Sequence, residues 1–261
     1  MYGRGQQQVR FGPPTTPDVI KGVIAANVFV YLLQQYAGAS GWLVIQPAAF
    51  WENGEVWRAF TYMWAHGGLM HLGLNMFVLW MFGADVANHW GPQRFLVYYL
   101  VSGTGAGVII ASWPAFAHAM DPTAVSYVMP TLGASGAVYA VLLASSLLWP
   151  NRTVMLLFPP IPLRAIYLIP LLFFMEILGS DPRVSHVGHL GGVAVGWLML
   201  WRWGIARWLT IAQIKVRIRR FKMRRRLRSV QVEDLQARRA RNERARQRRR
   251  EERDRDGGWM H

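Results

Sequence analysis

Six stretches of this chain are apolar for about 18 residues or more, the length at which a helix crosses a ~30 Å hydrocarbon core. They are Val19–Tyr36, Gly68–Val86, Phe95–Phe116, Leu132–Trp149, Ile161–Leu178 and His186–Trp203. Backbone inside a bilayer has to satisfy its own hydrogen bonds, which leaves helices or a closed barrel. None of the runs alternates with period two, so helices are expected. Charges within them are few, Lys21, Asp85, Arg164, Glu176 and Arg202, and turn residues such as Gly91-Pro92, Pro159-Pro160 and Asp181-Pro182 separate them. The predicted fold class is an all-α polytopic membrane protein, a bundle of six transmembrane helices over residues 19–203. A polar N-terminal segment, 1–18, precedes it and an Arg-rich tail, 204–261, follows.

Charge separates the body from the tail. Of the 29 Lys and Arg residues, 21 fall in Arg202–Asp256 together with 7 of the 14 Asp and Glu residues, a net charge of +14 out of +15. With the N-terminus inside, Arg4, Arg10, Lys21, Arg94, Arg152, Arg164 and the tail lie on the inner side, and only Arg58 and Arg183 face out. That asymmetry puts both termini in the cytoplasm, and the membrane expected is the inner (plasma) membrane of a bacterial cell. The absence of Cys excludes disulfides, thiol nucleophiles and Cys metal sites. The four histidines His66, His71, His186 and His189 lack an acidic ligand and an H-E-x-x-H string, so neither a metal nor any other cofactor is expected.

In this topology the second, fourth and sixth helices enter from the outside, and the polar residues of the body gather at those ends. Helix two carries His71 and Asn75 on one face, helix four opens with Gly133-Ala134-Ser135-Gly136, and helix six opens with His186-Val187-Gly188-His189-Leu190-Gly191-Gly192. Polar and ionisable groups in a membrane bundle are costly and mark candidate sites. Gly192 and Gly196 form a G-x-x-x-G step, and Gly136, Ala140 and Ala144 a small stripe, so these two helices can approach closely. His189 shares the face of Gly192 and Gly196, which brings its ring beside Ser135. A hydroxyl becomes a nucleophile when a base within hydrogen-bond reach takes its proton, and His has the pKa for that task. Tyr139, one turn below Ser135, is placed to stack on His189. The Ser135 backbone N–H and the side chains of His71 and Asn75 are the candidate oxyanion donors.

Together Gly133-Ala134-Ser135-Gly136, His71-x-x-x-Asn75, Trp57-Arg58 and His189-Leu190-Gly191-Gly192-x-x-x-Gly196 resemble the rhomboid intramembrane serine proteases, over roughly Val19 to Trp203. The resemblance implies Ser135 as nucleophile, His189 as general base, His71 and Asn75 as oxyanion side chains, Tyr139 packed on the catalytic His, and Trp57-Arg58 as a structural pair of the first outer loop. Asp85 stands where many members carry Glu, and the tail has no counterpart in the common core. The implied activity is a serine endopeptidase with a Ser-His dyad that cleaves single-span transmembrane substrates near the outer membrane face. Two alternatives are an inactive rhomboid-like protein that binds membrane clients and a transporter.

In the tail, Ile211, Ile214, Ile218 and Phe221 recur at helical spacing among Lys215, Arg217, Arg219, Arg220 and Lys222, the pattern of a segment that binds anionic lipid at a membrane surface. Gln236–Asp256, almost wholly charged or polar, is expected to be a solvated helix or disordered. Nucleic acid is the lesser alternative partner, since Arg clusters attract any polyanion but no reading module accompanies them.

Overall fold

A computed structural model describes residues 12–121, 123, 128–155, 160–179 and 186–205, with isolated positions between 219 and 246. The chain divides into two units, residues 1–206 and 207–261. In the second, the described positions are helical and exposed; the amphipathic stripe expected around Ile211–Phe221 falls outside the described residues, apart from the helical Arg219.

The first unit is helical, as its apolar patterning requires. Helix α1 (Asp18–Ala37) ends at Gly38, whose φ of 64° closes the helix with a left-handed residue. Short helices α2 (Ser40–Leu43), α3 (Pro47–Glu52) and α4 (Arg58–Thr61), with a 3₁₀ turn at Tyr62–Trp64, build the first loop. The span Leu69–Trp90 comprises α5 (Leu69–Val78), a five-residue π segment Leu79–Gly83 and α6 (Ala84–Trp90). Helix α7 (Pro92–Met120) starts with proline, where a missing N–H costs nothing. Then come α8 (Ser135–Leu148), α9 (Leu168–Gly179) and α10 (His186–Arg202).

Among the described residues, three helices, α1, Leu69–Trp90 and α7, have the length and hydropathy to cross a membrane. The other three are shorter, at 14, 12 and 17 residues. Two of the shorter helices begin later than the sequence suggests, and each late start has a local cause. Helix α8 starts at Ser135 rather than Leu132 because Gly133 adopts φ 126° and its N–H is committed to the Tyr62 carbonyl at 3.0 Å. The fifth helix starts at Leu168 rather than Ile161. Pro162–Arg164 instead pairs antiparallel with Thr153–Met155 in a two-stranded ribbon, with Val154 opposite Leu163. Prolines at 160 and 162 cannot supply helical N–H groups, which favours the extended Pro162–Arg164 segment over helix. Helix α7 runs four residues beyond its expected end and contains Pro114. Near that proline the Trp51 indole donates to the Ala111 carbonyl at 3.2 Å, which ties the first loop to α7.

Burial ranks the helices. In α8, Gly136–Val138 and Ala140–Ser146 are all buried, the signature of a helix surrounded by protein. Helix α1 buries only Ile20, Val23, Asn27 and Gln34 and leaves Val28, Phe29, Leu32 and Leu33 exposed, as a peripheral helix facing lipid should.

The first loop is organised by a buried cation. Arg58, 6% exposed, donates from Nη1 to the carbonyls of Gly41 (2.7 Å) and Val44 (2.6 Å) and pairs with Glu55. Removing it takes the Arg58 donor from two carbonyls and the ion-pair partner from Glu55 in a partly buried setting. Arg58→Ala is expected to lower stability by about 2–4 kcal/mol, and Arg58→Lys to recover only part because it lacks the planar fork. Thermal unfolding in detergent micelles measures both.

Candidate active site

Ser135 is the first residue of α8, and its Oγ lies 2.8 Å from Nε2 of His189 on α10. The two residues are 54 positions apart in sequence and meet because their helices nearly touch. A Cβ on Gly192 would fall inside the Gly136 carbonyl, and one on Gly196 would sit 2.9 Å from Ala140 Cβ and 2.6 Å from the Tyr98 hydroxyl. That hydroxyl donates to the Ala140 carbonyl at 2.8 Å, which pins α7 to α8 at the same level. Gly136 is enclosed too, with Ala106 Cβ, the Gly188 carbonyl and the Tyr62 hydroxyl all 2.9–3.2 Å from where its Cβ would be.

The His189 ring, 8% exposed, lies flat on Tyr139, with centroids 4.2 Å apart and planes 9° apart. Phe173 of α9 backs Tyr139 at 5.8 Å. Stacking on one face and a bond to Ser135 at one edge leave the imidazole little freedom to turn.

His71 stands against the turn that leads into Ser135. Gly133 admits no side chain, both because φ is 126° and because a Cβ would lie 2.7 Å from His71 Cε1 and 2.9 Å from His71 Nε2. The Nε2 edge of His71 is thus laid against the turn that carries Ser135. Its Nδ1 faces the Gly67 N–H at 3.5 Å, an acceptor role that leaves the proton on Nε2. Asn75 is buried, and one hydrogen of its Nδ2 goes to the His71 carbonyl at 2.8 Å. The second hydrogen is the one available to a ligand. The Ser135 backbone N–H, in the first turn of α8, has no intrahelical acceptor.

Of the residues singled out in the sequence, Ser135, His189, Tyr139, Gly133, Gly136, Gly192, Gly196 and His71 are gathered at this one place, with Asn75 bound to the His71 backbone. Trp57 and Arg58 belong to the first loop, where Arg58 is structural and Trp57 is exposed. Sequence reading missed Tyr62. Its carbonyl accepts the Gly133 N–H, its hydroxyl donates to the Gly103 carbonyl at 2.8 Å, and burial pushes that hydroxyl's pKa up, so it stays a donor. No spacing signal links Tyr62 to Gly133, 71 positions later.

The Rhomboid domain family profile matches residues 53–205, more than half of the chain. The chain belongs to the rhomboid family. Among its relatives are RHOMBOID-like protein 12, mitochondrial, of Arabidopsis thaliana, 30% identical over 192 residues (68% of this chain, 56% of the relative). Rhomboid protein 1, mitochondrial, of Saccharomyces cerevisiae is 27% identical over 190 residues (70% and 53%). Presenilin-associated rhomboid-like protein, mitochondrial, of Bos taurus is 29% identical over 185 residues (68% and 46%). The chain spans about half the length of these relatives. Their names are mitochondrial, which does not fit the bacterial membrane expected from the sequence; the shared ground is a rhomboid-type, mostly helical membrane protein.

The helix contact within this rhomboid domain is testable without an activity assay. Gly192→Val is expected to destabilise the protein by about 1–3 kcal/mol or more, because backbone rather than a flexible side chain blocks the new atoms. Gly22→Ala, where nothing lies within 4 Å of the added Cβ, should leave stability unchanged or raise it by up to about 1 kcal/mol. Denaturation monitored by Trp fluorescence compares the two.

Proposed function

We propose that this rhomboid is an intramembrane serine endopeptidase whose nucleophile is Ser135 and whose general base is His189. The observation that carries the reading is the 2.8 Å contact between Ser135 Oγ and His189 Nε2, with Tyr139 stacked on the far side of the ring. As Oγ attacks a peptide carbonyl carbon, Nε2 takes the hydroxyl proton and the carbonyl electron pair moves onto oxygen. The Ser135 N–H, His71 Nε2–H and the second Asn75 amide hydrogen are the donors for that oxyanion. The imidazolium then returns the proton to the leaving amine, and water repeats the sequence on the acyl-enzyme to release the acid.

Substrates on this reading are single-span membrane proteins cut near the outer face, at small or helix-breaking residues, because a regular helix hides its carbonyls from attack. The basic tail faces the inner side, with both termini there, and meets anionic lipid.

The test is cleavage of a tagged single-span substrate by purified protein in liposomes. Wild type should cleave, while Ser135→Ala and His189→Ala should not. His71→Ala is expected to lower turnover by about 10²–10³, the value of one oxyanion donor, with a smaller effect on KM. Substrate capture without cleavage by wild type and both variants would overturn the protease reading in favour of client binding; solute flux indifferent to Ser135→Ala would mark a transporter.

A further inference from the structure

His66 occupies the turn before α5, five residues ahead of His71 and outside the membrane-spanning helices. It is 1% exposed. Its backbone N–H donates to Oε1 of Gln34, a buried residue of α1, at 2.8 Å, so the turn is fastened to a neighbouring helix. The ring Nδ1 lies 3.3 Å from the Trp64 carbonyl, which can only accept; Nδ1 therefore carries the proton and Nε2 is a bare lone pair. That Nε2 is buried and has no hydrogen-bond partner among the described residues. An unpaired buried acceptor is destabilising, so an apolar side chain would suit this cavity better if stability were the only requirement.

The ring packs edge-to-face on His71, with centroids 5.2 Å apart and planes at 67°. His71 is thus confined on three sides: by the His66 ring, by the Gly67 N–H at its Nδ1, and by Gly133 against its Nε2 edge. Two of the three belong to one turn, and that turn is held by Gln34. We propose that His66 is a positioning residue, holding the His71 imidazole in the orientation and tautomer that aim Nε2–H at the oxyanion position beside Ser135. Burial, and secondarily the neighbouring His71, hold the His66 imidazole down to about 4 against the pull of the Trp64 carbonyl, so near neutrality it adds no cation beside His71. The inference rests on the protease reading for its kinetic consequence, but the coupling between the two rings does not.

The experiment is a double-mutant cycle joined to a spectroscopic readout. His66→Ala is expected to lower kcat about 10- to 100-fold with KM changed less than about twofold, the cost of misplacing a group near the chemistry. In a His71→Ala background the same change should cost nothing further, because His66 acts through His71. His66→Phe, which keeps a ring edge against His71, should recover most of the rate. Equal losses in both backgrounds would overturn the proposal and make His66 a stability residue alone. Independently of activity, ¹⁵N-histidine spectra of the Ser135→Ala protein should show His71 as the Nε2–H form, and as a mixture of tautomers once His66→Ala is added. An unchanged His71 spectrum would also overturn it. If His66→Ala does not fold, His66→Leu fills the volume without a ring edge and takes its place in both measurements. Unaltered turnover in His71→Ala would strike at the oxyanion reading itself, leaving the tautomer measurement to decide the ring coupling.

Discussion

The contact of α8 with α10 at Gly136 and Gly192 is the constraint on which the rest of this protein depends. Backbone meets backbone there with no room for a methyl group, and Gly196 against Ala140 continues the approach one turn on. In a membrane, helices gain little from the hydrophobic effect against one another and associate through close van der Waals packing and hydrogen bonds. Small residues at the crossing therefore do two things at once. They give the central helix its binding partner, and they set the separation at which an imidazole on one helix reaches a hydroxyl on the other at 2.8 Å. A crossing even one methylene wider would leave Ser135 with no base.

The approach to Ser135 rests on a second feature. Helix α8 has only 14 residues, about 21 Å at 1.5 Å per residue, shorter than a hydrocarbon core. Non-helical chain leads into Ser135, and a membrane protein tolerates such chain only where protein encloses it or water reaches it. Here the enclosure is specific. Thr131 exchanges both backbone hydrogen bonds with Ile45 of the first loop, at 2.8 and 2.9 Å, and the Gly133 N–H goes to Tyr62. The first loop is in turn organised by Arg58 and its carbonyl acceptors. The first loop and the turn leading into Ser135 thus form one hydrogen-bonded body, which explains why a polar, irregular segment can stand in front of an otherwise apolar bundle. Asp85 pairs with Arg152, joining the end of the Leu69–Trp90 span to the chain after α8.

Much of this was legible in the sequence. The apolar runs gave the helices, because a segment of that length and composition has few other solutions in a bilayer. The Gly-x-x-x-Gly step, the His71–Asn75 spacing and the Gly-Ala-Ser-Gly string marked the residues that the structure gathers around Ser135, since spacing of three or four fixes which residues share a helix face. Boundaries were less legible. The run Leu132–Trp149 reads as one helix, yet its first three residues lie outside the helix, because a hydrogen bond from Gly133 to Tyr62 outweighs local propensity and nothing in the local pattern records it. Ile161–Arg164 reads as apolar helix, yet three nearby prolines and a strand partner at Thr153–Met155 draw it into a ribbon.

What the sequence alone determined is the inventory: a helical membrane body, a basic tail, and a serine, histidines and glycines on known faces. Those follow from periodicity and transfer free energy, which are local properties of the chain. Only the tertiary structure decided that His189 meets Ser135 at bonding distance, that Tyr62 holds the turn leading into Ser135 while Arg58 organises the first loop, and that His66 lies against His71. These are contacts between residues distant in sequence, or between rings whose relative angle no spacing rule sets, and they exist because glycine faces let backbones close to van der Waals contact.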